Sequence, residues 1–198
     1  MITLAIDTSF HFLTLVLFQD EVMLGSLQKE AFKQQSETIL NEIDRLFKTV
    51  GLKPKDLNQI ILTDGPGSYT GLRIGMTITK VLGALGHVEV YTLSSLHVLA
   101  GLNPHVCISV DARAQRVYFA KYHCGNVVIE DCILTLTEAQ ALLNSEDQLI
   151  GEGPLLNGVV HIPNYTAHFM QLKPYWRKVD SIHTLVPRYL KEHEVYSK

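Results

Sequence analysis

This sequence lacks the closely spaced cysteines and histidines that form disulfide frameworks and metal sites. Its 198 residues include three cysteines, Cys107, Cys124 and Cys132, and none of them forms a C-x-x-C pair. An odd number without that spacing argues against a disulfide framework or a zinc knuckle. None of the nine histidines is followed by another four positions later, the spacing that places two imidazoles on one helix face. We therefore predict no metal site.

Long apolar segments and blocks of one charge are missing as well. No apolar segment approaches the ~20 residues that span a bilayer, and no basic segment with a cleavage site opens the chain. The formal net charge is −3, which disfavours capture of nucleic acid by this chain alone. We expect a cytoplasmic protein that makes no membrane contact and meets RNA only through a partner.

The glycine-rich stretch at 64–75, DGPGSYTGLRIG, lacks the residues of three common motifs. No lysine follows a loop glycine, as a P-loop requires, and Thr70 stands where a dinucleotide fingerprint needs its third glycine. Pro66 breaks the G-x-S-x-G elbow, so Ser68 is not predicted to be a nucleophile. The stretch instead predicts a strand, a tight loop and a helix, with Ser68 or Thr70 at the N-cap and a loop able to cradle an anion or carbonyl group.

The first half of the chain predicts a strand meander followed by alternating helices and strands. The predicted elements are strands at 3–7, 12–18 and 22–27, a helix at 36–50, a strand at 59–63, a helix at 71–86, a strand at 89–93 and a helix from 94 or 95 to 101. Ser36 is the expected N-cap of the first helix, and Gly51 its stop.

Two lines of small or apolar residues run along the predicted helix at 71–86. One line is Ile74, Ile78, Val81 and Leu85, and the other is Leu72, Gly75, Met76, Thr79, Gly83 and Gly86. A helix that is apolar on two sides is normally covered on both. We expect the sheet on one side and, on the other, either the helix at 36–50 or another chain.

The second half repeats this order of elements after a break at Asn103 and Pro104. Strands are predicted at 106–110, 117–122 and 127–134 and a helix at 137–143, which gives a first lobe at 1–102 and a second lobe at 103–198. Four prolines interrupt the last 45 residues. Tyr175, Trp176 and Arg177 could stack on RNA or cover the edge of a core.

Four segments in order resemble the TsaB (YeaZ) family, a bacterial relative of the Kae1/TsaD proteins. They are LAIDTS at 4–9, GPGSYTGLRIG at 65–75, TLSSL at 92–96 and VDARAQRVY at 110–118, with PRYLK at 187–191 similar to the closing family motif. The resemblance implies an α/β fold of the two-lobed, duplicated actin-like ATPase class (ASKHA, ribonuclease H-like).

The resemblance also implies a place in the synthesis of N6-threonylcarbamoyladenosine (t6A) at position 37 of tRNAs that read ANN codons. In that family a TsaD-like subunit holds the metal and transfers the group, and a TsaE-like ATPase joins the complex. The TsaB-like chain is expected to be a non-catalytic scaffold or activator subunit, homodimeric when alone. It would bind no cofactor by itself, with ATP or ADP at the interface of the complex.

The resemblance places two sets of site residues on this chain, and neither set includes a catalytic or metal-binding residue. The expected partner interface consists of Ile39, Ile43, Leu46, Leu72, Gly75, Met76, Thr79 and Gly83. The candidate nucleotide or anion contacts are Asp7, Thr8, Ser9, Gly65, Gly67, Ser68, Thr70 and Asp111.

Two other classes of function stay open from the sequence. A free-standing ATPase or small-molecule kinase would use Asp7, the loop at 65–71 and Asp111, although neither acid is followed by the glycine that active relatives carry. A protease ranks last, because the sequence offers no credible metal ligands, serine elbow or activated cysteine.

Overall fold

The computed structural model describes residues 1–31, 34–84 and 88–190, and these form two β-sheets with helices on their faces. The elements up to residue 100 are β1 (Ile2–Asp7), β2 (Phe12–Gln19), β3 (Val22–Glu30), α1 (Gln35–Thr49), β4 (Gln59–Gly65), α2 (Tyr69–Gly83), β5 (Glu89–Ser94) and α3 (Ser95–Ala100). The later elements are β6 (Val106–Arg113), β7 (Arg116–His123), β8 (Asn126–Thr135), α4 (Leu136–Ala141), β9 (Gln148–Gly151), α5 (His168–Gln171) and β10 (Arg177–Lys178).

The two sheets share one topology. The first has the strand order β10-β5-β4-β1-β2-β3 and the second β8-β7-β6-β9. In each, three consecutive strands pair antiparallel, and a helix then carries the chain to a strand that pairs parallel with the first of the three. This repeat confirms the duplicated two-lobed α/β fold.

Strand β1 shows why the first sheet is covered on both faces. Its side chains alternate in direction, so Leu4 and Ile6 face α1 and α2 while Ala5 faces the second lobe. All three are completely buried. Burying a leucine or isoleucine in full stabilises the fold by about 1.5–3 kcal/mol.

A second core joins the two sheets. Helix α3 is buried along its whole length between them, and Tyr165, Phe169 and Leu172 fill the space beside it. A smaller core lies under α4 on the far face of the second sheet, where Cys107 and Phe119 are fully buried.

Three predicted helix boundaries change in the structure. Helix α1 begins at Gln35 with Gln34 in the N-cap position, so Ser36 is not the cap. Helix α2 begins at Tyr69 because the Ser68 hydroxyl accepts a hydrogen bond from the Gly71 N–H, at 3.2 Å. Helix α4 begins at Leu136 because Thr135 and Glu138 form a capping box. The predicted end of α2 at 85–86 lies outside the described residues.

The last described part of the chain leaves the second lobe. Strand β10 pairs antiparallel with β5 at the edge of the first sheet, Arg177 opposite Thr92. A single 3-10 turn, Ile182–Thr184, then packs against Gly83 of α2. The predicted second lobe at 103–198 therefore contributes a strand to the first sheet.

Candidate functional site

Asp7, the acid at the end of β1, is enclosed by groups of its own chain. One carboxylate oxygen accepts hydrogen bonds from the Ser9 N–H, at 2.8 Å, and from the Thr63 hydroxyl, at 2.6 Å. The other accepts from the Tyr165 hydroxyl, at 2.8 Å. Burial, with the Asp7 charge beside it, raises the pKa of Tyr165 well above its ordinary value. Asp7 has no exposed surface, so both of its oxygens are occupied within the fold.

The glycine-rich loop is seated directly on the turn that follows Asp7. The Ser68 N–H donates to the Ser9 carbonyl, at 2.7 Å, and the Thr8 hydroxyl donates to the Gly71 carbonyl, also at 2.7 Å. A Cβ atom at Gly71 would lie 2.0 Å from the Thr8 carbonyl oxygen, and one at Gly67 would lie 2.6 Å from that of Ser9. These glycines therefore permit backbone-to-backbone packing.

The other candidate nucleotide contacts lie around this packed loop. The Gly65 carbonyl accepts a hydrogen bond from the Arg188 guanidinium, at 2.6 Å. Thr70 is exposed on the first turn of α2. Asp111 lies across the cleft between the lobes, where its carboxylate accepts from the Arg113 N–H at 2.8 Å and pairs with the Arg113 side chain at 3.2 Å.

The cleft between the lobes has a volume of about 880 Å³. Its walls include Ser9, His11, Gly67, Ser68, Tyr69, Asp111, Arg113, Glu152, Gly153 and Tyr189. Glu152 is buried, with its carboxylate against the imidazole of His11. Burial raises the pKa of the Glu152 carboxyl, and the nearby imidazole of His11 opposes that rise.

A network of acids and arginines joins the loop to the C-terminal segment and to the second lobe. Arg177 donates to both oxygens of Asp64, at 3.0 and 2.9 Å. The Arg188 guanidinium pairs with the carboxylate of Asp131 in β8. The backbone N–H of Arg188 donates to the backbone carbonyl of Asp64, at 2.7 Å. Burial raises the pKa of Asp64, while the two arginines oppose that rise.

Sequence reasoning missed the roles of Asp64, Asp131, Arg177 and Arg188. Asp64 and Arg188 lie within the quoted motifs, but nothing in their spacing shows that they meet. Asp131 also accepts from the Ser94 hydroxyl, at 2.6 Å, and from the Tyr122 hydroxyl, at 2.8 Å. We refer to Asp64, Asp131 and Arg188 as the lobe clamp.

The expected partner-interface residues lie inside the first lobe. Helix α1 buries Ile39, Ile43 and Leu46 and helix α2 buries Leu72, Gly75, Met76 and Thr79. A Cβ atom at Gly75 would lie 2.7 Å from the Thr8 hydroxyl and 3.0 Å from Leu62. The line of small residues on α2 therefore fits the helix closely to the sheet. Gly83 is in contact with Ile182 of the same chain.

The apolar surface of these two helices is formed by the other line of α2 and by one residue of α1. Ile74 and Ile78 are half-buried, and Val81, one turn further along, is 64% exposed. Leu40 of α1 is 61% exposed. We refer to Leu40, Ile74, Ile78 and Val81 as the exposed stripe.

The aromatic pair that could stack on RNA covers a core edge instead. Trp176 donates its indole N–H to the Phe169 carbonyl, at 2.9 Å, and Tyr175 packs edge-on against His97, with ring centroids 4.7 Å apart. Both rings contact the core between the sheets. Arg177 is engaged with Asp64.

A different aromatic pair is exposed at the mouth of the cleft. Tyr69 and Tyr189 stack with ring centroids 5.4 Å apart and planes 20° from parallel. The guanidinium of Arg73 lies 4.1 Å from the centre of the Tyr69 ring, and its Nε donates to the Tyr189 hydroxyl at 3.3 Å.

Within 1–31, 34–84 and 88–190, no group of three or more histidines, cysteines or acids is arranged to hold a metal ion. No helix in the same ranges has the length and apolar character needed to cross a bilayer. Burial raises the pKa of the Cys107 thiol to about 12.

Comparison with known families gives one match that covers most of the chain. The family model described as TsaD, tRNA N6-adenosine threonylcarbamoyltransferase, matches residues 24–175.

Curated proteins match over a smaller part of their length. A Bacillus subtilis protein described as tRNA threonylcarbamoyladenosine biosynthesis protein TsaB is 31% identical over 137 residues, which cover 67% of this chain and 60% of the relative. The protein of the same description from Escherichia coli is 28% identical over 161 residues, covering 75% of this chain and 68% of the relative. The chain spans about three fifths of the Bacillus relative and of one from Buchnera aphidicola.

Two solved structures from Pseudomonas aeruginosa share the fold. One, described as an uncharacterized protein with similarity to peptidase YEAZ, has a TM-score of 0.79 at 19% identity. The other, described as YeaZ, has a TM-score of 0.75 at 19% identity. Each comparison covers 96% of this chain and 99% of the other.

Proposed function

Because this chain belongs to the TsaB (YeaZ) family and matches the TsaD family model, we propose that it is a non-catalytic subunit in t6A synthesis. The modification lies at position 37 of tRNAs that read ANN codons. The partner of this chain is a TsaD-like catalytic subunit, a TsaE-like ATPase joins the complex, and the tRNA is reached through that complex. Alone, the chain forms a homodimer, and it works in the cytoplasm.

The enclosure of Asp7 is the observation that supports a non-catalytic role. In an actin-like ATPase this acid would face the metal and phosphates, but here Tyr165, Thr63 and the Ser9 N–H occupy its two oxygens. Releasing Asp7 for a ligand would leave the buried Tyr165 hydroxyl without its carboxylate acceptor, at a cost of about 1–3 kcal/mol. The glycine-rich loop packs on the turn at Thr8 and Ser9 from the other side.

The exposed stripe is the surface that we propose for the partner. Apolar side chains that stay exposed or half-buried along helices are typical of protein interfaces. The residues first expected there, such as Met76 and Thr79, lie beneath this surface and support it. ATP or ADP binds at the joint between this chain and its partner.

Co-purification with the TsaD-like protein of the same organism tests this proposal. We expect the wild type to elute as a heterodimer and a variant with Ile78→Arg and Val81→Glu to elute alone, because the new charges would be desolvated at the interface. The matched control replaces two exposed valines elsewhere, Val22→Arg with Val128→Glu, and should still form the complex. Near-ultraviolet circular dichroism checks that each variant is folded.

A wild type that never binds the partner would contradict the proposal. The free-standing ATPase would then replace it if the purified chain hydrolysed ATP with magnesium and lost that activity on Asp7→Asn or Asp111→Asn. A complex that survives the changes at Ile78 and Val81 would move the interface away from the exposed stripe.

A further inference from the structure

The exposed aromatic surface of the described residues is concentrated at one place. Among their large apolar side chains that are exposed, the aromatic ones are Tyr69 and Tyr189, which are 56% and 45% exposed. The two rings come from segments far apart in the chain and stack on each other. Two exposed tyrosines held in contact form a continuous aromatic surface with polar hydroxyl tips, and such tyrosines are enriched at interfaces.

Both tyrosines are held on rigid backbone. Tyr69 is the first residue of α2, whose start is fixed by the Ser68 cap and by the loop seated on Thr8 and Ser9. Tyr189 follows Arg188, which is bound to the Gly65 carbonyl and to Asp131. The rings therefore lose little conformational freedom when a ligand stacks on them.

One arginine brings a positive charge directly to the tyrosine pair. Arg73 lies over Tyr69, and the exposed side chain of Arg113 lies in the same cleft. The nearby acids are engaged with bases: Asp111 with Arg113, and Glu152 with His11. Arg73 is therefore the cation that an anion approaching the rings meets, because the charges of Arg113 and Asp111 offset each other.

We infer that Tyr69, Tyr189 and Arg73 form a stacking platform for unpaired RNA bases, with Arg73 placed to meet the adjoining phosphate. Aromatic rings beside arginines are the means by which proteins bind single strands, since each base offers a face for stacking. Protein recognition of RNA sequence acts mainly on loops, whose bases are splayed out. This inference rests on the proposed function and extends it, because it gives the chain its own contact with the anticodon loop of the tRNA.

Binding of a fluorescently labelled RNA hairpin tests the platform, with fluorescence anisotropy as the readout. The loop of the hairpin carries the unpaired sequence of an ANN-reading anticodon loop, and a fully paired RNA of equal length is the control. Binding is measured for the chain alone and for the chain in complex with the TsaD-like protein. We expect the looped RNA to bind more tightly than the paired one.

Matched variants separate stacking from charge. Tyr69→Ala with Tyr189→Ala should weaken binding of the looped RNA by about fivefold or more, the lower limit for losing one stacked base. Tyr69→Phe with Tyr189→Phe keeps both rings and should bind like the wild type. Arg73→Gln should lower the dependence of affinity on salt, whereas Arg45→Gln, an exposed arginine on α1, should leave it unchanged.

Three outcomes would overturn the platform: unchanged RNA affinity of the double alanine variant, equal binding of looped and paired RNA, or no RNA binding by the wild type alone and in the complex. If the double alanine variant binds RNA normally but loses the TsaD-like protein, the rings are a protein contact and the proposed function stands. If the chain binds looped RNA through the rings but never binds the partner, the proposed function fails and the platform stands.

Discussion

At the scale of single residues, Gly67 and Gly71 decide how closely the glycine-rich loop can approach the turn after β1. Both positions face backbone carbonyl oxygens, which cannot rotate away as a side chain can. A glycine-rich loop before a helix is typical of phosphate-binding sites. Here the space that a Cβ atom would need is already occupied by Thr8 and Ser9.

Replacing Gly71 by alanine should therefore destabilise the protein although alanine is the better helix former. We expect Gly71→Ala to lower the free energy of unfolding by about 2 kcal/mol or more, because its Cβ would meet the Thr8 carbonyl at 2.0 Å. Gly83→Ala is the control within the same helix, since its Cβ would meet the movable Ile182 side chain. Urea unfolding measures both, and equal losses would show that the backbone contact is not decisive.

One buried and one half-buried histidine link stability to pH. Burial lowers the pKa of His97, whose ring lies against Tyr122 and Tyr175 and shares a 2.8 Å hydrogen bond with the Gly125 carbonyl. Burial also lowers the pKa of His168, which contacts the Val98 carbonyl at 2.8 Å. The unfolded chain takes up these protons near pH 6.5 and the folded chain only below it. Their contribution to stability is therefore complete above about pH 7 and is lost as the pH falls.

We expect the free energy of unfolding to fall between about pH 7 and pH 5, by at most about 1.4 kcal/mol per pH unit for each histidine. His97→Gln, which keeps a donor for the Gly125 carbonyl, should make this fall shallower. His183→Gln, at an exposed position, should leave the pH profile parallel to that of the wild type. Urea unfolding over this range decides between them, and a profile unchanged by His97→Gln would contradict the assignment.

At the scale of elements, α2 shows what could be predicted from sequence and what could not. The sequence correctly predicted that this helix follows a strand and a glycine-rich loop and that two lines of small or apolar residues run along it. The line that includes Gly75 and Thr79 was expected at a partner but is buried within this chain, because small residues suit close approach to any neighbour. Only the folded chain shows that the neighbours of Gly75 are Ile6 of β1, Thr8 in the turn after it and Leu62 of β4.

The elements missed by the sequence prediction are short. Both three-stranded meanders were predicted, because their alternation and β-branched residues mark each strand locally. Strands β9 and β10 and helix α5 have two to four residues each. Their pairing is decided by distant strands, Gln148 with Val106 and Arg177 with Thr92. The lobe clamp was missed for the same reason, since its members meet only after folding.

At the scale of the whole molecule, the lobe clamp links the two sheets and the C-terminal segment through charged side chains. The Asp131 side chain is 5% exposed and that of Asp64 is 12% exposed, so both carboxylates depend on their arginines. A buried pair adds little net stability when intact, but removal of one partner leaves a desolvated charge. The clamp therefore makes the lobe arrangement sensitive to a single side chain.

Arg188→Met should lower the free energy of unfolding by about 3 kcal/mol, because it leaves the Asp131 and Asp64 charges without their shared cation. Combining it with Asp131→Asn should cost less than the sum of the two single changes. Lys178→Met, which removes an exposed ion pair with Glu89, should cost far less than Arg188→Met, because solvent screens that pair. Chemical unfolding of the four variants gives the comparison, and strict additivity would show that the clamp residues act independently.

The return of the C-terminal segment to β5 has a consequence for synthesis on the ribosome. The first lobe has all of its strands except β10 long before residues 177–190 leave the exit tunnel. During that interval the β5 edge is unpaired and Asp64 lacks both arginines, so the nascent chain presents an open strand edge beside an uncompensated acid. The first lobe, although translated first, becomes complete only when the last described residues emerge.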